Sequence, residues 1–270
     1  MFQEEIRHVT VSKTRANKYF ISILIEEDLD VIPKQEIEEN KVIGFDMSAT
    51  NFLIAKEISF SNPRFYRSEE KKLTRLHKKL SKKKKGSKNR EKARIKLSKV
   101  YEKINNRKQD WIHKTTHVLS KYYDCIILED LNIKGIQKFN SGLSKSVSLD
   151  FSWNQFLNIL KYKMEQAGKY LILIDRYFPS SKACSVCGHI NNALKLSDRA
   201  WTCNNCKTIH NRDLNSSVNI KREGLKILKG RRIKIINSST VGTTGSQASE
   251  ELVRLDLVEQ GLMKEESICL

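Results

Sequence analysis

The sequence predicts an α/β protein, a mixed sheet flanked by helices, which carries a basic helical hairpin and an inserted four-cysteine zinc ribbon. Three observations lead there. Short apolar runs suited to buried strands, within residues 41–55, at 125–128 and at 170–175, are separated by stretches of helical spacing. Two Cys-x-x-Cys knuckles, Cys184/Cys187 and Cys203/Cys206, are separated by fifteen residues, a spacing that lets four thiolates surround one Zn²⁺. Finally, 50 Lys and Arg against 31 Asp and Glu give a net charge of +19 over 270 residues.

With 39% hydrophobic residues the chain can bury a core, as one large domain or two modest ones. Its positive excess attracts polyanions. Nucleic acid suits it better than an acidic membrane, because no amphipathic anchor or lipidation motif accompanies the charge. No apolar run reaches the length of a membrane span, and the residues after Met1 lack the basic start and apolar core of a signal peptide. A cytoplasmic protein without membrane partners is expected. Cys125 and Cys269 are distant singles, unlike the even framework of a secreted disulfide scaffold.

Taken in order, Ile6 to Lys13 and Lys18 to Glu26 alternate or run apolar around Arg15, Ala16 and Asn17, the pattern of a β-hairpin. With the polar linker containing Pro33, they make an N-terminal region over residues 1–40. The core starts at residue 41 and runs to 178. Inside it, the stretch 68–120 is helical: Leu73, Leu76 and Leu80, then Val100 and Ile104, then Trp111, Thr115 and Val118 recur at intervals of three and four. The lysine-rich break at 82–88 folds this stretch into a helical hairpin. Its outer surface offers Lys71, Lys72, Arg75, Lys78, Lys79, Arg90, Arg94 and Arg107, and between Lys71 and Lys108 only Glu91 and Glu102 compensate. A solvated face is the ordinary reading of such a run, and phosphate contacts are the functional one.

A strand at Cys125 to Leu128 follows, then a Gly/Ser/Lys-rich loop from Ile133 to Asp150. Trp153, Phe156, Leu157, Leu160 and Met164 mark a helix stopped by Gly168, and another buried strand follows it. The ribbon occupies 179–209 and the last core helix 210–230. Residues 231–236 read as a short extra element. The rest, to Leu270, is a Ser/Thr/Gly-rich and then acidic tail, expected to be mostly disordered.

Four thiolates leave no open coordination position, so a zinc ion there holds structure and performs no chemistry; two disulfides or buried thiols are the alternative. The chemistry must come from carboxylates. Asp46 interrupts an apolar run, and a buried charge needs a cation, a hydrogen-bond partner or protonation. A turn-capping Asp is the plainer reading. Glu129 emerges at the carboxyl end of a strand, where ligand groups gather in open α/β sheets, while alternation turns Asp130 to the opposite face. Asp213 opens a helix, where a carboxylate is stabilised by the dipole even without a metal. Three such acids, if they converge, suit Mg²⁺ or Mn²⁺ in a two-metal phosphodiester site, since hard oxygens favour Mg²⁺ where soft thiolates select zinc.

Gly44-Phe-Asp46-Met-Ser, Ile127-Leu-Glu129-Asp-Leu-Asn132, Ser180 to Gly188 around the first knuckle, and His210-Asn-Arg-Asp213 to Asn219 resemble the RuvC-like nuclease half of the TnpB family. These OrfB-type, transposon-encoded proteins are relatives of the type V CRISPR effectors. The resemblance runs from about Val42 to Gly245. It implies an RNase H-like (RuvC) fold with Asp46, Glu129 and Asp213 as catalytic acids and magnesium ligands. It further implies RNA-guided DNA cleavage, with a guide RNA from the transposon end, in a prokaryotic, nucleoid-associated setting. Two departures stand out. Of the family's long N-terminal region, the hairpin over Ile6 to Glu26 is expected to stand for no more than the last part, and Asn211 stands where the family commonly has Asp. A nucleic-acid-binding remnant without activity, and a transposase acting by DNA strand transfer, are the competing functions.

Overall fold

A computed structural model describes residues 5–26, 32–48, 51–56, 58–138, 150, 152–195 and 197–236. The chain divides into two units, one drawn from Met1–Val31 and Arg64–Asp110, the other from Ile32–Pro63 and Trp111–Leu270.

In the first unit, β1 (Glu5–Lys13) and β2 (Tyr19–Glu26) pair antiparallel, from Glu5 opposite Glu26 to Lys13 opposite Tyr19. Asn17 takes a left-handed conformation in the turn (φ 64°), a position that Asn tolerates better than most residues. Every residue of both strands is exposed. The helices α1 (Phe65–Ser81) and α2 (Lys88–Tyr122) form the basic hairpin. Leu73 packs with Leu97, Val100 and Ile104, and Leu76 and Leu80 close over them, so the helical spacing of these residues supplies the seam. The first part of α2 belongs to this unit; from Trp111 onward it belongs to the second.

The second unit is built on a parallel sheet, β4 (Val42–Gly44), β7 (Cys125–Glu129) and β8 (Tyr170–Ile174), with β7 in the middle. Ile43 lies opposite Ile126, and Glu129 opposite Ile174. The antiparallel pair β5 (Asn51–Ile54) and β6 (Ser59–Ser61) joins this sheet through Asp46 and Ile54. Each of these donates its N–H to the other's carbonyl at 2.9 Å, so the strand arrangement is mixed. β3 (Ile37–Glu38) and β11 (Ile235–Ile236) pair in parallel. In β7 four consecutive apolar residues are buried, as expected of a strand covered on both faces. The Cys125 thiol is pushed up to about 12 by burial, which keeps it protonated and unreactive.

Three more helices lie among the described residues of this unit: α3 (Ile133–Lys138), α4 (Trp153–Gln166) and α5 (Arg212–Gly230). Helix α5 lays Ile220 and Leu228 against Val42, Ile127, Ile172 and Ile174, and each such side chain contributes about 1.5–3 kcal/mol by leaving water. The approach is close. A Cβ on Gly44 would stand 2.4 Å from the Lys221 nitrogen and 2.7 Å from the Ser217 carbonyl, so no other residue fits there undisturbed. Helix α4 ends where Gly168 turns left-handed (φ 65°) and Lys169 donates to the Met164 carbonyl, the bond pattern of a Schellman stop.

The stretch from Ile133 was expected as loop, but it begins with the single helix α3. Asn132 nucleates it by accepting from the Gly135 N–H at 3.0 Å, a local bond that outweighs the low helix propensity of glycine. The remainder of that expected loop, 139–149, lies outside the described residues, as do the expected disordered tail from 237 onward and Cys269. No helix among the described residues is long and apolar enough to cross a membrane.

Candidate functional site

The ribbon consists of two knuckles and a short hairpin, β9 (Ala200–Thr202) with β10 (Ile209–Asn211). Both knuckles close alike. Gly188 N–H bonds the Cys184 carbonyl and Lys207 N–H the Cys203 carbonyl, each at 2.9 Å, with Gly188 and Lys207 both left-handed. The four sulfurs all lie within 4.8 Å of one another, and two pairs are at 3.5 and 3.6 Å. Four ligands at 2.3 Å around a tetrahedral zinc would be about 3.8 Å apart, so this cluster has the size and chemistry for one ion. All four are free thiols, not disulfides. The N–H of His189, helped by the Asn205 side chain, pulls Cys187 down to about 6, whereas burial pushes Cys184 up to about 11.

The carboxylates come from three elements. Asp46 lies two residues past β4, Glu129 is the last residue of β7, and Asp213 is the second residue of α5. Gly44 pairs with Ile127, and the Phe45 N–H bonds the Ile127 carbonyl, so extending the register by two sets Asp46 opposite Glu129. Neighbouring strands are about 4.8 Å apart and opposed residues share a face. Helix α5 brings Asp213 to the same edge. Burial raises the Asp46 carboxyl well above its ordinary 3.8, the charges of Glu129 and Asp213 raise it further, and the Met47 N–H and Arg212 oppose them. Burial also raises Glu129, against a hydrogen bond from the Ser180 hydroxyl. Asp130 is turned elsewhere and pairs with Arg176.

Asp213 is 9% exposed and lies between two cations, with Arg199 Nη1 at 3.3 Å and Arg212 Nε at 3.4 Å. Its own N–H and that of Leu214 bond the Asn211 side chain at 3.1 and 3.2 Å, so Asn211 caps the helix on which Asp213 rides. Among the described residues only the four cysteines pack their donor atoms into a cluster of at least three within 4.8 Å. The carboxylates of Asp46, Glu129 and Asp213 are not packed that tightly, though the latter two are near enough to act on the charge of Asp46.

Sequence reasoning did not find what ties ribbon and acids together. Ser180, just before the first knuckle, bonds Glu129. Asn219 donates to the carbonyls of Ser180 and Ala183 at 2.8 and 2.7 Å; Asn215 donates to Ala183 and accepts from the Ser185 N–H, both at 2.8 Å. Arg222 Nη2 reaches the Ser185 carbonyl at 2.7 Å. These three side chains lie at i, i+4 and i+7 on α5, a polar stripe that was visible in the sequence as spacing alone. His210 is buried against Trp201, which holds its pKa down, and its Nε2 is 3.0 Å from the Cys184 sulfur. With Cys184 as a zinc-bound thiolate, which only accepts, this contact would call for the His210 proton on Nε2.

The basic residues separate into two groups. Lys71, Arg75, Lys78 and Lys79 line one open cleft along α1. The others are engaged: Lys72 with Glu69 at 3.4 Å, Arg94 with Glu91, and Arg107 over the Phe65 ring at 4.8 Å. Arg90 donates to the Leu80 and Lys83 carbonyls, each at 2.9 Å, and so closes the turn between the helices.

Comparison with known proteins adds a lineage. The family model OrfB_IS605, described as "Probable transposase", matches residues 20–140, and one described as "Cas12f1-like, TNB domain" matches residues 153–220. A Streptomyces pristinaespiralis protein named "Putative RNA-guided DNA endonuclease" is 35% identical over 80% of this chain and 52% of its own length. InsQ of Escherichia coli K12, named in the same terms, is 28% identical over 83% of this chain and 58% of its own. A "TnpB-like protein" of Methanocaldococcus jannaschii is 30% identical over 57% of this chain and 34% of its own. The chain thus spans little more than half the length of the first two relatives. In fold it is similar to a chain of a solved Cas12f1–sgRNA–target DNA complex, with a TM-score of 0.55 and 18% identity over 81% of this chain and 46% of that one.

Fold and site together define a basic, transposase-related α/β protein with a four-cysteine ribbon set in the chain between β8 and α5. Within that class, the chain belongs to the TnpB family.

Proposed function

We propose that this chain supplies the nuclease portion of a transposon-encoded, RNA-guided DNA endonuclease, with an RNase H-like core in which Asp46, Glu129 and Asp213 hold Mg²⁺ or Mn²⁺. One observation carries the reading: carboxylates from two adjacent strand ends and a helix start meet closely enough that Glu129 and Asp213 both raise the Asp46 pKa. The names of the relatives support it. The donor set fits hard divalent cations, since buried, mutually repelling carboxylates gain most from a positive charge between them. A bound pair of such ions would supply an activated water and a counter-charge for the leaving oxygen.

The chain's own residues have definable roles. Asp46, Glu129 and Asp213 hold the cations, Ser180 orients Glu129, and Arg199 and Arg212 balance the charge of Asp213. Cys184, Cys187, Cys203 and Cys206 hold a structural Zn²⁺ whose ribbon fixes the start of α5. DNA and a guide RNA are the partners, and Lys71, Arg75, Lys78 and Lys79 track a phosphate backbone. The setting is the cytoplasm.

The test is cleavage of target DNA by purified protein with its cognate RNA and Mg²⁺. Asp46→Ala, Glu129→Ala and Asp213→Ala are each expected to abolish cutting while nucleic-acid binding stays near the parent level. Cleavage at the parent rate by any of the three would refute the assignment. Binding without cleavage by the parent would point to a non-catalytic binder, and joined DNA ends to strand transfer.

A further inference from the structure

A second cleft in the first unit, separate from the lysine-lined one on α1, has no place in the reading above. It measures about 520 Å³ and lies among Arg15, His77, Leu80, Arg94, Leu97 and Tyr101, a size typical of small-molecule sites. Its chemistry is layered. Leu97 is buried and Leu80 half-buried, giving an apolar floor. The Tyr101 ring is 40% exposed, and its hydroxyl lies 2.9 Å from His77 Nε2 with the two rings edge-on, so the ring is held in one orientation. The Arg94 guanidinium is gripped by both Glu91 oxygens and reaches the Arg15 carbonyl at 3.5 Å. That leaves a flat cationic face in a fixed place. The side chain of Arg15 is exposed and makes no ion pair among the described residues.

We propose that this cleft binds one unpaired nucleotide, its base stacked on Tyr101 above the leucine floor and its phosphate on Arg15. An oriented aromatic ring beside a planar guanidinium is how proteins hold splayed-out bases. A base within a duplex has both faces covered by its neighbours and is excluded. The inference rests on the reading that this chain binds nucleic acid, and it names the part that takes an unpaired base.

The experiment uses the full chain with three probes of equal length, a single-stranded RNA, a single-stranded DNA and a DNA duplex, each carrying 2-aminopurine. Stacking in the cleft quenches the probe in single strands. Tyr101→Ala is expected to abolish that quenching and weaken single-strand binding roughly five- to 150-fold, the range for losing one stacked base, with duplex affinity unchanged. Tyr101→Phe, which keeps the ring and loses only the hydroxyl, should retain both. The strand type that shows the Tyr101-dependent loss identifies the source, and equal loss in both means the 2′-hydroxyl is not read. Parent-like quenching and affinity in Tyr101→Ala, or an equal loss on duplex, would overturn the cleft while leaving nucleic-acid binding intact. A parent that binds none of the probes would overturn both.

Discussion

Gly44→Ala adds one methyl group where the sheet and helix α5 are in backbone contact. The new Cβ would stand 2.4 Å from Lys221 N, 2.7 Å from Ser217 O and 2.8 Å from the Lys221 Cα, whereas ordinary contact starts at 3.4 Å. The strand and helix must therefore part by 3.4 − 2.4 = 1.0 Å. No rotamer change relieves this, because all three neighbours are main-chain atoms. Overpacking of this kind costs about 1–3 kcal/mol, which lowers the melting temperature by about 2–12 °C for a unit of this size. The functional loss should be larger than the stability loss implies. Helix α5 carries Asp213 and β4 leads to Asp46, and a misplacement of about 1 Å can cost about 10²-fold in rate. The assay is cleavage measured well below the melting transition across a Mg²⁺ titration, alongside thermal denaturation. Gly224→Ala is the control, because the three atoms nearest its Cβ would all belong to the Ile127 side chain, at 2.4–2.6 Å. There the double variant Gly224→Ala/Ile127→Ala should be less destabilised than the sum of the singles. A Gly44→Ala protein with the parent's melting temperature and rate would refute this account of how helix and sheet set the acids.

Three further outcomes are expected. In chelator, Asp46→Asn should be more stable than the parent at neutral pH. The folded-state pKa of Asp46 is raised by burial and then by Glu129 and Asp213, so its contribution is fully present below its ordinary value of 3.8 and is lost as pH rises through the raised one. The advantage should vanish in acid, and a melting difference independent of pH would count against it. His210→Ala removes the donor beside the Cys184 sulfur and should weaken zinc retention about 10–100-fold; competition with a chromophoric chelator reads this directly, and unchanged competition refutes it. Asn211→Ala leaves the N–H groups of Asp213 and Leu214 without their acceptor, at a cost of about 1 kcal/mol in chemical denaturation. Asn211→Asp should keep the cap, and equal loss in both variants would exclude a capping role.

What the sequence revealed follows the reach of each constraint. The knuckles were legible because holding one ion would dictate the spacing of four side chains within a short segment. Strands β7 and β8 were legible as apolar runs, and alternation alone distinguished Glu129 from Asp130. The helix pair was legible from leucines at helical spacing. Helix α3 was not, since its signal is one Asn132 cap against an unfavourable glycine. The contacts of Ser180 with Glu129 and of Arg199 with Asp213 join residues 51 and 14 positions apart, and such partners leave no periodic trace. Nor did any pattern indicate that Arg90 would spend its charge on two carbonyls of a turn. In β1 and β2 the alternation reads as a half-buried hairpin, yet Val9, Val11, Phe20 and Ile23 are all at least half exposed, because burial depends on what lies opposite and not on the strand itself.

The short pairing of β3 with β11 has a mechanical corollary. Ile37 and Glu38 run alongside Ile235 and Ile236 in the same direction, so tension entering before the first pair and leaving after the second drags the strands lengthwise past each other. Every bond across the junction is then loaded at once, among them the Ile37 N–H to the Lys234 carbonyl at 3.2 Å and the Glu36–Lys234 ion pair. An antiparallel pair tugged at neighbouring ends would unzip one rung at a time. The parallel arrangement makes this junction a latch against hauling forces, set in the chain just ahead of β4 and just after α5.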